Sequence, residues 1–135
     1  MNNKNIIKLI KNTVRFIIKL RDKFVERKMK TLNEEQRFSL IYKTGYWRGT
    51  HGSLSGDGSS YISTKNIRKS LQSFIKNYHI ESIADIPCGD FYWMSKMDLS
   101  ALSYLGGDIV EEMIQKNIGK FSKEKISFQK IDLIN

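Results

Sequence analysis

The strongest constraint on the fold lies in residues 80–132, where short apolar runs alternate with helical spacing. "IESIADI" (Ile80–Ile86), "SYLGGDI" (Ser103–Ile109) and "ISFQKID" (Ile126–Asp132) have the length and residue types of strands. Between the second and third, "VEEMIQKNIGKF" (Val110–Phe121) puts Val110, Met113, Ile114, Ile118 and Phe121 on one helical face. Its Glu111 and Glu112 fall in the first turn, where the helix dipole favours acids. Phe91–Leu102, between the first two strands, has room for a short helix. Strand-helix-strand-helix-strand is the pattern of a parallel α/β sheet, and right-handed crossovers would give the spatial order 3-2-1. Ligands of such sheets bind at the carboxyl ends of the strands. That places the candidates at Asp85 through Phe91, Gly106 through Ile109, and Asp132.

Upstream, three segments can be separated. Residues 1–32 form a basic amphipathic helix, with Ile6, Ile10, Val14, Ile17 and Phe24 on one line and Ile7, Ile18 and Val25 beside it. Residues 1–30 hold ten basic side chains against Asp22 and Glu26, a net +8; the remaining 105 hold 13 basic and 12 acidic groups, a net +1. Such a helix can pack on its own domain, lie on an anionic membrane surface or enter a partner's groove. Nucleic acid is disfavoured, because no aromatic interleaving or reader motif accompanies the charge. Residues 33–79 begin with Asn33, an N-cap with Gln36 in capping-box position, and a short helix through Phe38, Ile41 and Tyr42. The stretch 44–60, "TGYWRGTHGSLSGDGSS", holds five of the nine glycines and reads as a loop, either a plain connector or a binding loop that uses Tyr46, Trp47 and Tyr61. A helix capped by Ser63 or Thr64 comes next, with Ile67, Leu71, Phe74, Ile75 and Tyr78 on one face. Residues 80–135 are the sheet region.

The strand-end residues narrow the choice of ligand. Asp108 closes the second strand 19 residues after Gly89, the expected place for an acid that accepts from both hydroxyls of a ribose. It also stands where a helix N-cap would. Gly106 and Gly107 would let a ligand approach the backbone. The loop "DIPCGDF" (Asp85–Phe91) has one glycine where a dinucleotide fingerprint has three, with Pro87 and Phe91 in glycine places. Asp90 would repel a pyrophosphate by about 1 kcal/mol or more at contact range. A cationic nucleoside suits the loop better, and S-adenosylmethionine is one, with its sulfonium, ammonium and ribose and no phosphate. Phe91, Tyr92 and Trp93 could line the site, since aromatic faces attract such cations, or could simply fill the core.

The stretches "SIADIPCGDFYWM" and "YLGGDIVEEMIQKN", preceded by "SLSGDGSS", resemble the class I S-adenosylmethionine-dependent methyltransferases. The resemblance is to a bacterial subgroup whose first motif reads D-x-P-C-G-D-F-x-W-M, and it covers roughly residues 42–135. It implies a Rossmann-like methyltransferase fold, with Asp85, Cys88, Gly89 and Asp90 around the methionine moiety. It further implies Asp108 on the ribose, Ile109 against adenine, Asp132 accepting from the adenine amino group, and Ser55, Gly56, Gly58 and Ser59 in a covering loop. The methyl acceptor, a small molecule or a glycan, has no residues assigned, and neither does catalysis. The family's sheet has about seven strands, whereas the pattern here reaches three. The expectation is therefore an N-terminal portion, marginally stable and catalytically silent by itself, whose first strand is an exposed sheet edge.

Other chemistries find little support. Cys88, the single cysteine, has no histidine placed to activate it, and His51 and His79 are isolated, so no metal site is expected. One cysteine, no secretory signal and no apolar run near the ~18 residues that span a bilayer suit a cytoplasmic chain, with a place at the inner membrane face open to the basic helix. Two competing readings stay open. One is a non-catalytic remnant that binds membrane or a protein partner through residues 6–29. The other is a nicotinamide-dependent oxidoreductase, opposed by the missing glycines and Asp90.

Overall fold

A computed structural model describes residues 2–48 and 51–133, so residues 49 and 50 of the glycine-rich loop lie outside the described residues. The chain divides into two compact units, Met1–Tyr46 and Trp47–Asn135.

The first unit is a pair of helices, α1 (Asn3–Met29) and α2 (Glu34–Thr44). Asn33 caps α2 as its sequence requires: its side chain accepts from the Gln36 amide while the Gln36 side chain accepts from the Asn33 amide. Gly45 ends the helix with φ 61°, a left-handed conformation that costs glycine nothing. The helices meet near the end of α1. Val25 and Ile41 are buried, Arg21 donates to the carbonyls of Thr44 and Gly45, and the Tyr46 hydroxyl donates to Glu26 at 3.0 Å. Of the apolar stripe read from residues 6–25, only Val25 is buried.

The second unit holds α3 (Lys65–Asn77), β1 (Ser82–Asp85), β2 (Ser103–Asp108), α4 (Glu111–Phe121) and β3 (Ile126–Lys130). The strands form one parallel sheet in the order β1-β2-β3, with Asp85 opposite Gly106 and Asp108 opposite Lys130. This is the expected 3-2-1 order, with β1 at an edge, and the molecule is a mixed α/β protein.

The core explains two departures from the sequence pattern. No helix forms over Phe91–Leu102, only a single 3-10 turn at Met94–Lys96. Phe91 takes φ 54°, an uncommon left-handed value for a bulky residue. Its ring is buried with centroids 4.9 Å from Tyr104, 5.1 Å from Phe121 and 5.0 Å from Phe128. Aromatic packing at these distances contributes beyond burial alone and offsets the backbone cost. The second departure is in β2. A Cβ on Gly106 would come within 2.6 Å of the Phe128 ring, and one on Gly107 within 2.7 Å of Ile131 and 2.9 Å of Ile86. These glycines admit side chains of the neighbouring segments rather than a ligand.

The two helices bury unequal parts of their apolar faces. In α3, Ile75 is buried and Leu71 packs against the core, while Ile67, Phe74 and Tyr78 are exposed. In α4, Val110, just before the helix, and Met113 and Ile114 are buried, Ile118 is exposed, and Asn117 is buried in line with the apolar residues.

Candidate functional site

The site is built around the turn after β1. Ile86–Pro87 is a cis peptide, and the chain then folds back so that the Cys88 amide donates to the Gly107 carbonyl at 2.8 Å. This fixes the loop over the end of β2. Gly89, at φ 54°, turns its amide toward Asp108, whose carboxylate accepts from it at 3.0 Å. The other Asp108 oxygen accepts from the Val110 amide at 3.0 Å, at the start of α4. Asp108 therefore ties the β1 loop to the first turn of the next helix, and the residue is only 3% exposed.

Asn117 completes the clamp from the other side. Its side-chain amide donates to the Gly89 carbonyl at 2.8 Å and lies 3.9 Å from the Cys88 sulfur. Sequence reasoning missed this residue, although a polar side chain in the apolar stripe 110, 113, 114, 117, 121 was a visible signal. Tyr104 was missed as well. Its hydroxyl donates to Asp85 at 2.7 Å, holding the acid at the end of β1.

Asp90 has a different role from the one its charge suggested. Its carboxylate accepts from the Ser53 hydroxyl at 3.1 and 3.2 Å, from the Ser55 hydroxyl at 3.2 Å, from the Tyr92 amide at 3.3 Å and from the Leu54 amide. The Asp90 amide donates back to the Ser55 hydroxyl at 3.2 Å. Ser53–Ser55 of the glycine-rich segment are thus pinned to the β1 loop, with Ser53 buried. Gly52, at φ 92°, lets the Tyr92 ring close over the backbone: a Cβ there would meet its hydroxyl at 3.0 Å. Ser55 lies in this contact, and Gly56, Gly58 and Ser59 continue from it through a 3-10 turn at Asp57–Ser59.

Beyond that turn, Ser60 and Thr64 extend the hydroxyl network. Thr64 stands at the N-cap of α3 but donates to the Ser60 carbonyl instead of capping the helix. Arg68 lies 3.7 Å over the Tyr61 ring and donates to the Tyr61 carbonyl.

The structure gathers Asp85, Cys88, Gly89, Asp90, Asp108 and Ser55 around one loop. Ile109 and Asp132 are half-buried beyond the carboxyl ends of β2 and β3, and the Ile109 amide joins those that favour an ionised Asp108. Of the three aromatic residues, Phe91 belongs to the core, Trp93 packs partly against it, and Tyr92 faces a cleft of about 560 Å³. That cleft is lined by Asp90 and Asn117 and by the cations Arg48, Lys96, Lys116 and Lys120.

Burial governs the titration of this group. It raises the carboxyl of Asp85 above the ordinary range, partly countered by the Tyr104 hydroxyl and reinforced by the charge of Asp108. It raises Asp108 too, against the backbone amides that favour the ionised form. The Cys88 thiol is pushed up to about 12, first by burial and then by the charges of Asp108 and Asp85. Such a thiol is protonated and inert near neutrality. Against an ordinary thiol, alkylation at pH 8 should be slower by on the order of 1000-fold in the native chain, from thiolate fraction alone. Iodoacetamide labelling before and after denaturation checks this; equal rates would contradict the enclosed, acid-flanked environment.

Among the described residues no group of three or more histidine, cysteine or acidic side chains is placed to hold a metal ion. Comparison with known proteins finds no family model, no curated protein and no solved structure that matches the chain.

Proposed function

We propose that the second unit binds S-adenosylmethionine at the carboxyl ends of its strands and belongs to a methyltransferase of Rossmann-like fold. The observation that carries this reading is the course of the chain after β1. A dinucleotide loop needs a helix whose N-terminus faces a pyrophosphate. Here β1 runs instead into a 3-10 turn, with no helix before α4. The start of α4 is already engaged by the carboxylate of Asp108. The half-buried Asp85 and the buried Asp108, when ionised, give the strand ends a negative field that suits a sulfonium or ammonium and opposes a phosphate.

In this reading Asp108 meets the ribose, Ile109 and Asp132 face the adenine, and the segment Asp85–Asp90 surrounds the methionine moiety. A carboxylate offers about four lone-pair positions, so the amide bonds of Asp108 leave capacity for a ribose hydroxyl. Its low exposure means that neighbouring residues must open to admit the nucleoside. Ser55, Gly56, Gly58 and Ser59, on the segment tied to Asp90, are the covering residues. The cations of the adjoining cleft suit the cofactor's own carboxylate. S-adenosylmethionine would supply the transferable methyl group. This chain's residues would bind and orient it, and the acceptor, a small molecule or a glycan, has no residues assigned.

The test is calorimetric titration of the folded chain with S-adenosylhomocysteine and, separately, with NADH. Saturable heat with the first and none with the second is expected. No heat with S-adenosylhomocysteine from a sample shown to be folded by circular dichroism would sink the reading.

A further inference from the structure

The first unit carries a surface that the cofactor reading does not use. Every residue of α1 from Asn3 to Leu20 is exposed, a length of about 27 Å at 1.5 Å per residue. At 100° per residue, Ile6, Ile10, Val14, Phe16, Ile17 and Leu20 fall with their apolar neighbours in one arc of roughly 200°. Lys4, Lys8, Lys11, Arg15 and Lys19 fill the opposite arc, and the first acid in the helix is Asp22. A helix owes most of its stability in water to packing of its apolar face, and an exposed apolar patch of this extent marks an interaction surface.

We propose that α1 lies in the surface of an anionic lipid bilayer. The breadth of the apolar arc favours a bilayer over a protein groove, which takes a narrower stripe at i, i+3, i+4 and i+7 spacing. An interface takes up about half of a helix cylinder, the share that is apolar here. The cations lie where a surface-lying helix needs them: those at the arc's edges can run their stems along the acyl boundary and keep their charges among headgroup phosphates. No helix among the described residues is long and apolar enough to cross a membrane. The helix therefore lies on the surface rather than spanning it. The charge identifies the lipid, because segment 1–30 carries a net +8, ten basic against two acidic groups. Each cation near an anionic surface strengthens partitioning by about five-fold.

The test is co-sedimentation of the full chain with vesicles of pure phosphatidylcholine and of phosphatidylcholine mixed with phosphatidylglycerol, at low and high salt. Pelleting with the mixed vesicles, weakened by salt and by omission of the anionic lipid, is expected. Ile10→Asp with Ile17→Asp should abolish it; both residues are exposed, so no core is lost. Lys8→Gln, Arg15→Gln and Lys19→Gln together should weaken it on the order of 100-fold. Equal pelleting on both vesicle types, or none on either, would overturn the proposal. So would a dimer, seen by sedimentation velocity, that the two aspartates dissociate while the parent chain ignores vesicles: the face would then join copies of this chain. The outcome is independent of cofactor binding.

Discussion

Asp90→Ala is expected to lower the free energy of unfolding by about 3 kcal/mol and to release the segment that carries Ser53 and Ser55. The carboxylate is the shared acceptor for two hydroxyls and two backbone amides. Hydrogen bonds to a charged group contribute about 1.5–3 kcal/mol each. They converge on one side chain and do not add, so the total stays near the value of one or two. The alanine variant leaves the Leu54 amide without its acceptor. The Ser53 hydroxyl, 2% exposed as a residue, keeps only the Ser55 amide at 3.0 Å. Urea unfolding followed by circular dichroism reads the stability. Limited proteolysis reads the segment: cuts within residues 51–60 should accelerate ahead of global unfolding. A variant within about 0.5 kcal/mol of the parent, with unchanged cleavage, would show that the loop is held by something else.

The same residue shows where local sequence stops informing. Its charge was legible, but apart from the Tyr92 amide its partners, Ser53, Leu54 and Ser55, lie 35 to 37 residues upstream, and nothing at short range announces them. The parallel sheet was legible because apolar runs of strand length and a helix with Val110, Met113 and Ile114 on one face are local patterns. The capping box at Asn33 and Gln36 was legible for the same reason. The absence of a helix after β1 was not. It depends on Phe91 holding a left-handed φ, and the ring that rewards this conformation packs on Tyr104, Phe121 and Phe128, from three other elements or their ends. Gly106 and Gly107 were misread as room for a ligand, since the side chains that need the space, Phe128, Ile131 and Ile86, become neighbours only once the sheet forms. The α3 face shows the limit of periodicity. Spacing placed Ile67, Phe74, Ile75 and Tyr78 together, but only Ile75 among these four is buried.

Asp108 separates fold from binding most cleanly, because two substitutions there should act differently. Asp108→Ala removes the acceptor of the Gly89 and Val110 amides and should cost about 3 kcal/mol, the penalty of buried unpaired donors. Asp108→Asn resembles the protonated acid in shape and charge. Burial is the largest influence on this carboxyl and raises its pKa above the unfolded value of 3.8. The protonated form is therefore the one that folding favours. The stability it contributes is whole below pH 3.8 and is lost as the pH rises through the raised folded value. Asparagine does not titrate, so its stability should be flatter across this window. Because its single oxygen replaces the acceptor of only one of the Gly89 and Val110 amides, it should lie between the parent and the alanine variant at neutral pH. Urea midpoints from pH 4 to pH 8 check the sign; an asparagine variant that loses stability as steeply as the parent would contradict it. The proposed ribose contact adds the functional half. A neutral amide is a weaker acceptor for a ribose hydroxyl than a carboxylate, so affinity for S-adenosylhomocysteine should fall by about 10-fold or more while the fold is kept. An asparagine variant that binds as tightly as the parent would leave Asp108 as a clamp between the β1 loop and α4, and the ribose would have to be held elsewhere.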